Sequence, residues 1–457
     1  GVPYHAAHTY ISRLINKGYK VAICDQMEDP ALAKGIVKRD VTRVITPGTV
    51  IDPSMLDEKR NNYLMSIYCQ KQYFGIAAAD ISTGEFYSTQ ITWGSSLKKL
   101  IDEVSRYKPS EIICNSQLSD KPEFNTFFTD YLGIRPQIIH DDFFDPARAG
   151  DIINETTGEN PFDSLELAQC ASGALLSYLK ETQKTDLKHI EKIRIYKIEQ
   201  YMIIDSSSRR SLELSETMRD GRKKGSLLWV LDKTSTAMGG RKLRRWIEQP
   251  LLDVEEINLR LDAVAELKDG FMLRNELMEL LRGVYDVERI TSKIVYGNIN
   301  ARDLLSLKVS LSKLPYIKEL ISGLKSPLNT QITERLDLLE DLYNLIESAI
   351  HEDAPISVKE GGIIKDGFDE LIDKYRKAAT EGKTWISDLE ARERERTGIK
   401  SLKIRYNDNF GYFIEVTKAN IAQVPEDYRR KQTLVNSERY TMDELSEIEN
   451  TILGAEK

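Results

Sequence analysis

The sequence predicts a multidomain protein of mixed class, α/β at the start and all-α beyond it, with a small antiparallel β-element at the tip of a long helix. Three observations predict this. Strand-like and helix-like segments alternate up to about residue 200. From Ser206 the hydrophobic pattern turns helical almost throughout. Between Arg392 and Tyr440 a charged helix end gives way to two period-2 segments and a basic cluster.

The first fifty residues read as α/β. A helical pattern through Tyr10, Ile11, Leu14 and Ile15 stops at Gly18. A buried-strand run, Val21 to Cys24, follows, and a second strand, Val41 to Ile45, is closed by Pro47-Gly48. Tyr63 to Cys69, Phe74 to Ile81 and Glu85 to Thr89 read as an antiparallel meander, with Ser82-Thr83-Gly84 as a hairpin turn. A helix over Leu97 to Tyr107 leads into a strand over Glu111 to Cys114, the mixed order of an α/β domain. After a polar stretch, Asn154 to Phe162, a helix spans Leu165 to Thr182. The helical series includes Leu227 to Leu231, Leu243 to Ile247, Ile257 to Leu267, Asp303 to Leu314 and Leu336 to Ile350. Phe368 to Glu395 reads as one helix, about 40 Å long at its usual rise, hence a strut or an arm. Beyond it, Leu402/Ile404/Tyr406 and Tyr412/Ile414/Val416 flank a turn signal, Asn407 to Gly411. The cluster Arg429-Arg430-Lys431 reads as a loop, and Glu438 to Leu453 as a returning helix.

At 457 residues the chain is long enough for roughly three domains. Its formal net charge of −8 excludes a polycation, so nucleic-acid contact must come from local patches. Arg392 to Tyr440 holds eleven Lys/Arg against seven Asp/Glu, and Asp205 to Arg245 eleven against five. Each patch also reads as an ordinary solvated charged face. The four cysteines form no C-x-x-C pair, which points to free thiols in a reducing compartment. No apolar run approaches a membrane span, and no signal-peptide pattern opens the chain. Gly1 opens inside what looks like a motif and Lys457 ends inside a helical pattern, so both ends read as cuts.

Few motifs carry chemistry. A phosphate loop needs a glycine five residues before Gly-Lys-Ser/Thr. Gly382-Lys383-Thr384 has Lys377 there and lies in a helical context, so it reads as an exposed helix position. Asp80 ends a strand where a ribonuclease-H-like nuclease would hold Mg²⁺, but two-metal chemistry needs several converging carboxylates and no further strand-end acid stands out. A turn-stabilising Asp80 is the favoured reading. His5 and His8 are three apart without a third ligand, so no metal site is read. Lys403, Arg405 and Lys418 project from predicted strands, while Gln432, Thr433 and Asn436 add neutral donors beside Arg429, Arg430 and Lys431. Cations for charge and short polar groups for register is the mixture that grips a phosphate backbone.

Ordered blocks along the whole chain then resemble the bacterial MutS mismatch-repair family. They are Gly1-Val2-Pro3-Tyr4-His5-Ala6, Val21 to Gln26, Arg43 to Thr49, Asp80 to Gly84, Arg209 to Leu214, Met238 to Trp246, Arg392 to Gly398, Phe410-Gly411-Tyr412, Arg430 to Leu434 and Glu438-Arg439-Tyr440. The resemblance implies part of an α/β mismatch-binding domain over 1–55 and a ribonuclease-H-like connector over 56–200. It implies a helical core and lever over 201–382, a DNA clamp over 383–442 at the lever tip and the start of a returning lever helix over 443–457. It places Lys403, Arg405, Arg430, Lys431, Gln432, Thr433 and Asn436 in the clamp, and Pro3, Tyr4 and Arg39 along DNA in the first domain. Asp40 stands where a second basic residue is common. The Phe-x-Glu motif, whose Phe stacks beside a mismatched base, would lie before Gly1, and the ABC-type ATPase that uses ATP and Mg²⁺ after Lys457. No catalytic, cofactor or metal residue is therefore expected here. The implied partners are double-stranded DNA with mismatches or small loops, a second copy in the full-length protein, and a MutL-type protein through the connector. The implied location is cytoplasmic, with the nucleoid.

The physics of that function is coherent. A mismatch weakens stacking, so kinking the duplex there costs less, and a sequence-blind clamp holds it through phosphates. Two other readings stay open on the residues alone: a metal-dependent nuclease built on Asp80, and a helical scaffold without a nucleic-acid role.

Overall fold

Helix α1 (Ala7–Ile15) gives way to Gly18, whose φ of 81° suits only a residue without Cβ. The structure, a computed structural model, describes residues 6–28, 35–92, 96–407 and 411–456. Two compact units divide the chain: Gly1–Glu347 with Pro355–Glu360, and Ser348–Ala354 with Gly361–Lys457.

In the first unit, β1 (Val21–Gln26) and β2 (Arg39–Ile45) form a two-stranded antiparallel ribbon. Ile11 and Ile15 of α1 pack on Ile45 and Val50. The expected buried strand is corrected here. Val21 and Ile23 are half-buried and Ala22 and Cys24 exposed, because α1 supplies only a small apolar patch against the ribbon.

The meander expected after residue 62 is present as β3 (Leu64–Gln70), β4 (Tyr73–Asp80) and β5 (Glu85–Ile91). Helix α2 (Ser96–Tyr107) leads to β6 (Glu111–Cys114), and short helices α3 (Ser116–Ser119) and α4 (Pro122–Thr126) precede β7 (Gln137–Ile138). Helices α5 (Pro146–Thr157) and α6 (Glu166–Gln183) and strand β8 (Arg194–Ile195) complete the layer set. The six strands run in the order β7-β6-β3-β4-β5-β8. Strands β3, β4 and β5 are mutually antiparallel, whereas β6 lies parallel to β3, β7 to β6 and β8 to β5.

Side-chain parity sorts this sheet into two cores. Leu64, Ala77, Ala79 and Phe86 join Ala168, Leu175 and Leu179 of α6. Met65, Ile67, Phe74 and Ile76 join Leu100 and Val104 of α2 on the other face. Each fully buried Leu, Ile or Phe contributes about 1.5–3 kcal/mol. Close approach of α6 depends on Gly75, where a Cβ would fall 1.8 Å from the Leu167 carbonyl oxygen. Asp80 is wholly buried at the β4–β5 turn. Its Oδ1 accepts from the Ser82 amide and hydroxyl, and its Oδ2 from Asn61 Nδ2 and the Asn62 amide. Both carboxylate oxygens are thereby spent on bracing the turn.

The helical series runs α7 (Ser206–Ser211), α8 (Leu227–Leu231), α9 (Ala237–Glu248), α10 (Val254–Asp269), α11 (Phe271–Arg282), α12 (Val287–Val295), α13 (Ala301–Ile321), α14 (Pro327–Arg335) and α15 (Glu340–Ala349). Two expectations are corrected. Helix α13 continues through Pro315 to Ile321, since buried Leu307, Leu311, Ile317 and Ile321 hold its turns on both sides of the lost amide. The run expected from Leu336 begins only at Glu340, because Leu339 takes a positive φ of 49° while its amide donates to Asp337.

The second unit holds α16 (Glu370–Thr397), the strands β9 (Lys403–Asn407), β10 (Gly411–Thr417), β11 (Arg429–Thr433) and β12 (Ser437–Thr441), and α17 (Asp443–Glu456). Asp369 caps α16 by accepting from the Leu371 and Ile372 amides, and Gly398 ends it at a φ of 69°. The strands form one antiparallel sheet in the order β11-β12-β10-β9. The expected loop at Arg429 to Lys431 is an edge strand, where Lys and Arg are at home because one ladder side faces water. The expected start of the returning helix, Glu438 to Thr441, is the strand β12. It pairs on both sides, with β10 and β11, and the helix starts at Asp443. Among the described residues no helix is long and apolar enough to cross a membrane.

Gly75→Ala should lower the stability of the first unit by about 1–3 kcal/mol or more, because backbone has to move. Gly323→Ala, where a Cβ meets nothing within 4 Å, should stay within about 0.5 kcal/mol. Comparable losses in both, read by thermal denaturation, would contradict the close α6 approach. His189 supplies a second check. Its ring lies 4.8 Å from that of Tyr296, and burial pushes its pKa down to about 4. Between the ordinary 6.5 and that value the unfolded chain binds a proton that the fold refuses. Stability should fall as pH drops through this window, by up to about 3 kcal/mol. His189→Gln should flatten that part of the profile of Tm against pH, and an unaltered profile would refute a buried neutral ring.

Candidate nucleic-acid interface

Helices α16 and α17 lie side by side and antiparallel. A Cβ on Gly382 would touch Ile452, one on Gly454 would touch Tyr375, and nearer the sheet Arg392 pairs with Glu444. Leu389, Leu445, Ile399 and Leu402 make a core with Ile414, Val416, Tyr428 and Tyr440, and Ile404 and Tyr412 pack against it. One face of the sheet is thus buried against the helices.

Strand period then turns the alternate residues outward. Lys403 pairs with Glu415, Glu415 with Arg439, and Arg439 with Gln432, so these four cross the outer face in one row about 14 Å wide. Arg405 opposes Phe413 in the adjacent row and its Nε lies 3.2 Å from Glu415 Oε2. Arg439 donates to Gln432 Oε1 at 2.8 Å, and its guanidinium sits 4.2 Å from the Phe413 ring centre. Ser437 donates to Glu415 Oε1 at 3.0 Å. Cations thus surround a single carboxylate on this face. Lys403 has no ion-pair partner among the described residues.

The seven residues expected in a clamp divide by register. Lys403, Arg405 and Gln432 lie on the outer face. Arg430 pairs across from core-facing Tyr440 and Thr433 from Glu438, so both take inner-face positions on the edge strand. Arg430 remains 64% exposed, with Nη1 3.7 Å from Glu438 Oε1. Lys431 is the extra residue of a bulge in β11. Its ammonium is turned toward Glu449 of α17 at 4.0 Å and the Tyr412 carbonyl oxygen at 3.5 Å. Thr433 Oγ1 lies 3.5 Å from Glu438 Oε1. Exposed Asn436 sits in the β11–β12 turn, its carbonyl accepting from the Lys418 amide. Lys418 is exposed just past β10. Burial and the Glu438 carboxylate push the Tyr440 phenol up to about 12, so it donates to Glu438 at neutral pH. Arg439 and Glu415 are the residues that sequence reading missed. Their shared register was the signal, and it needs both strand pairings to be seen.

Other charged stretches are spent on structure. In the run at the end of α16, Arg394 donates to the Leu402 carbonyl at 2.7 Å, and Arg396 grips Glu393 and Asp427. Glu393 is only 5% exposed and also accepts from Tyr428 Oη at 2.7 Å. Within 205–245, Arg241 binds Asp286 and Glu288, Arg245 binds Glu85, and Lys223 binds Asp232. Those carboxylates lie mostly outside the segment, so part of its local excess of charge is neutralised from elsewhere in the chain.

Arg39 is exposed at the start of β2, opposite Gln26, with Nη1 3.3 Å from the Val37 carbonyl oxygen. Pro3, Tyr4 and the family-like Phe410 lie outside the described residues. The Gly-Lys-Thr at 382–384 is in mid-α16 with Gly382 buried, so it is no phosphate loop. Among the described residues, no group of three or more His, Cys, Asp or Glu could hold a metal ion.

Three family models match in chain order: MutS domain I over residues 1–54, MutS domain II over 62–191 and MutS domain III over 207–452. The DNA mismatch repair protein MutS of Acetivibrio thermocellus is 54% identical over 461 residues, covering 100% of this chain and 53% of the relative. That of Ruminiclostridium cellulolyticum is 54% identical over 462 residues, again with 100% and 53% covered. That of Caldanaerobacter subterraneus subsp. tengcongensis is 51% identical over 465 residues, also with 100% and 53% covered. The chain spans about half the length of these curated relatives.

The Glu393 cluster ties the helix end to the loop before β11. Tyr428→Phe removes a donor from a buried carboxylate and should cost about 1.5–3 kcal/mol in the second unit. Thermal denaturation checks this, and a loss under about 0.5 kcal/mol would mean that water replaces the phenol freely.

Proposed function

The chain belongs to the MutS family, and we propose that it binds duplex DNA carrying mismatches or small loops, as a mismatch-recognition protein of DNA repair. The observation that carries this reading is the outer face of the β9–β12 sheet. It presents Lys403, Arg405, Arg439 and Gln432 from a rigid scaffold at the end of a 28-residue helix. Such a face supplies charge and short-range donors, which suits backbone contact blind to sequence. We assign the sheet as the clamp and α16 as the lever. Residues 56–200 are the connector, and their six-stranded order, three antiparallel strands extended by parallel ones, supports a ribonuclease-H-like reading. Residues 1–55, with Pro3, Tyr4 and Arg39, are assigned to the mismatch-binding domain.

Dimerisation and docking of a MutL-type partner on the connector belong to the same proposal. ATP and Mg²⁺ belong to the full-length family, and no step of the proposal runs through them. The spent oxygens of buried Asp80 leave a nuclease reading without a metal ligand at that turn.

The test is the salt dependence of binding to a mismatched duplex, followed by fluorescence anisotropy. Contact with about four phosphates gives a slope of log K against log[salt] near −3.6. Replacing Lys403 and Arg405 together by Ala should flatten it by about 1.8, roughly 0.9 per phosphate lost. Lys431→Ala should change it less, since that ammonium is turned toward α17. An unchanged slope in the double variant would overturn the clamp-face assignment.

A further inference from the structure

A second cationic site lies in the first unit, where β5 and β8 meet α9 and α10. A cleft of ≈ 240 Å³ is lined there by Arg106, Arg194, Lys242, Arg245 and Arg260, and no carboxylate is among its described lining residues. Glu103 pairs with Arg106, and Glu85 pairs with Arg245 at 2.7 Å and reaches Arg194 at 4.0 Å. Five cations against two carboxylates leave three positive charges uncompensated. Lys242 and Arg260 have no ion pair among the described residues.

Aromatic faces hold these cations in place. Arg260 sits 4.1 Å from the Trp246 ring centre and Lys242 5.9 Å from it. Arg245 and Arg194 lie 5.6 and 5.7 Å from the Tyr87 ring centre. Cation–π contact fixes position without neutralising charge, so the cluster keeps its demand for an anion. Burial, then repulsion by Arg245 and Arg260, hold the Lys242 ammonium below its ordinary pKa. Because the rings are already faced by cations, a flat base has little ring surface left to stack on. The chemistry that fits is a compact, multiply charged oxyanion able to accept from several forked donors.

We propose that this cleft binds a phosphate-class anion through Lys242, Arg260 and Arg194. The source is either a free phosphate compound or a phosphate of a nucleic-acid backbone. The site is built from residues of the first unit and shares none with the β9–β12 sheet, so its failure would leave the clamp-face reading standing.

The test titrates the 457-residue chain with inorganic pyrophosphate at constant ionic strength, with chloride as the control. It follows the indole ¹⁵N–H resonance of Trp246, assigned by its loss in Trp246→Phe. A saturable shift that chloride does not produce, weakened about tenfold or more in Lys242→Gln/Arg260→Gln, supports a free anion. A second arm adds a short homoduplex. A shift with duplex alone, lost in the same double variant, supports the backbone source. The charge-conserving Lys242→Arg should retain binding, which separates loss of charge from loss of fold. No shift in wild-type protein with either probe beyond the chloride control overturns the proposal, as does binding unaffected by the double variant.

Discussion

Burial of Ile404, Ile414, Val416 and Tyr440 against Leu389 and Leu445 fixes the register of the four-stranded sheet, and register decides which way every cation on it points. A slip of one residue would carry Lys403 and Arg405 into the helices and expose the isoleucines. The apolar seam thus specifies the proposed interface without taking part in it. The same seam explains why neighbours in sequence part company. Lys431 occupies a bulge and turns toward α17, whereas Gln432 beside it joins the outer row.

Charge counting alone misjudges such a molecule. Part of the densest cationic segment, 205–245, is tied up in ion pairs to distant carboxylates such as Asp286, Glu288 and Glu85, while Lys242 is left to the Trp246 cleft. The alternating run at the end of α16 likewise serves Glu393, Glu390, Asp427 and Glu444. Arg241 and Arg245 are largely buried in their pairs, and Arg396 ties the end of α16 to Asp427 in the loop before β11. What remains for a partner is set by parity and partner distance rather than by local sums. By that measure the outer sheet face and the Trp246 cleft stand out.

Much of the architecture was legible in sequence because its signals are local. The meander over β3 to β5, helix α2, helix α6 and the 28-residue α16 each announce themselves by the period of their apolar residues. What failed depended on remote partners. β11 looks like a loop until β12 is beside it, and β12 looks like the first turn of a helix until two neighbours claim its amides. Pro315 reads as a stop, yet flanking buried leucines and isoleucines carry α13 past it. For the interface, the cations were legible as a cluster, but Arg439 and Glu415 become visible only through the pairing of two strands far apart in sequence. The family likeness, by contrast, was plain in ordered blocks, and the matches to MutS domains I, II and III bear it out.

The central claim is that one face of the β9–β12 sheet meets DNA. Lysine acetylation read by mass spectrometry, with and without saturating mismatched duplex, tests it most directly. The account predicts that duplex protects Lys403 strongly and leaves Lys431 nearly unchanged. Equal reactivity of Lys403 with and without duplex, under conditions where binding is complete, would contradict it.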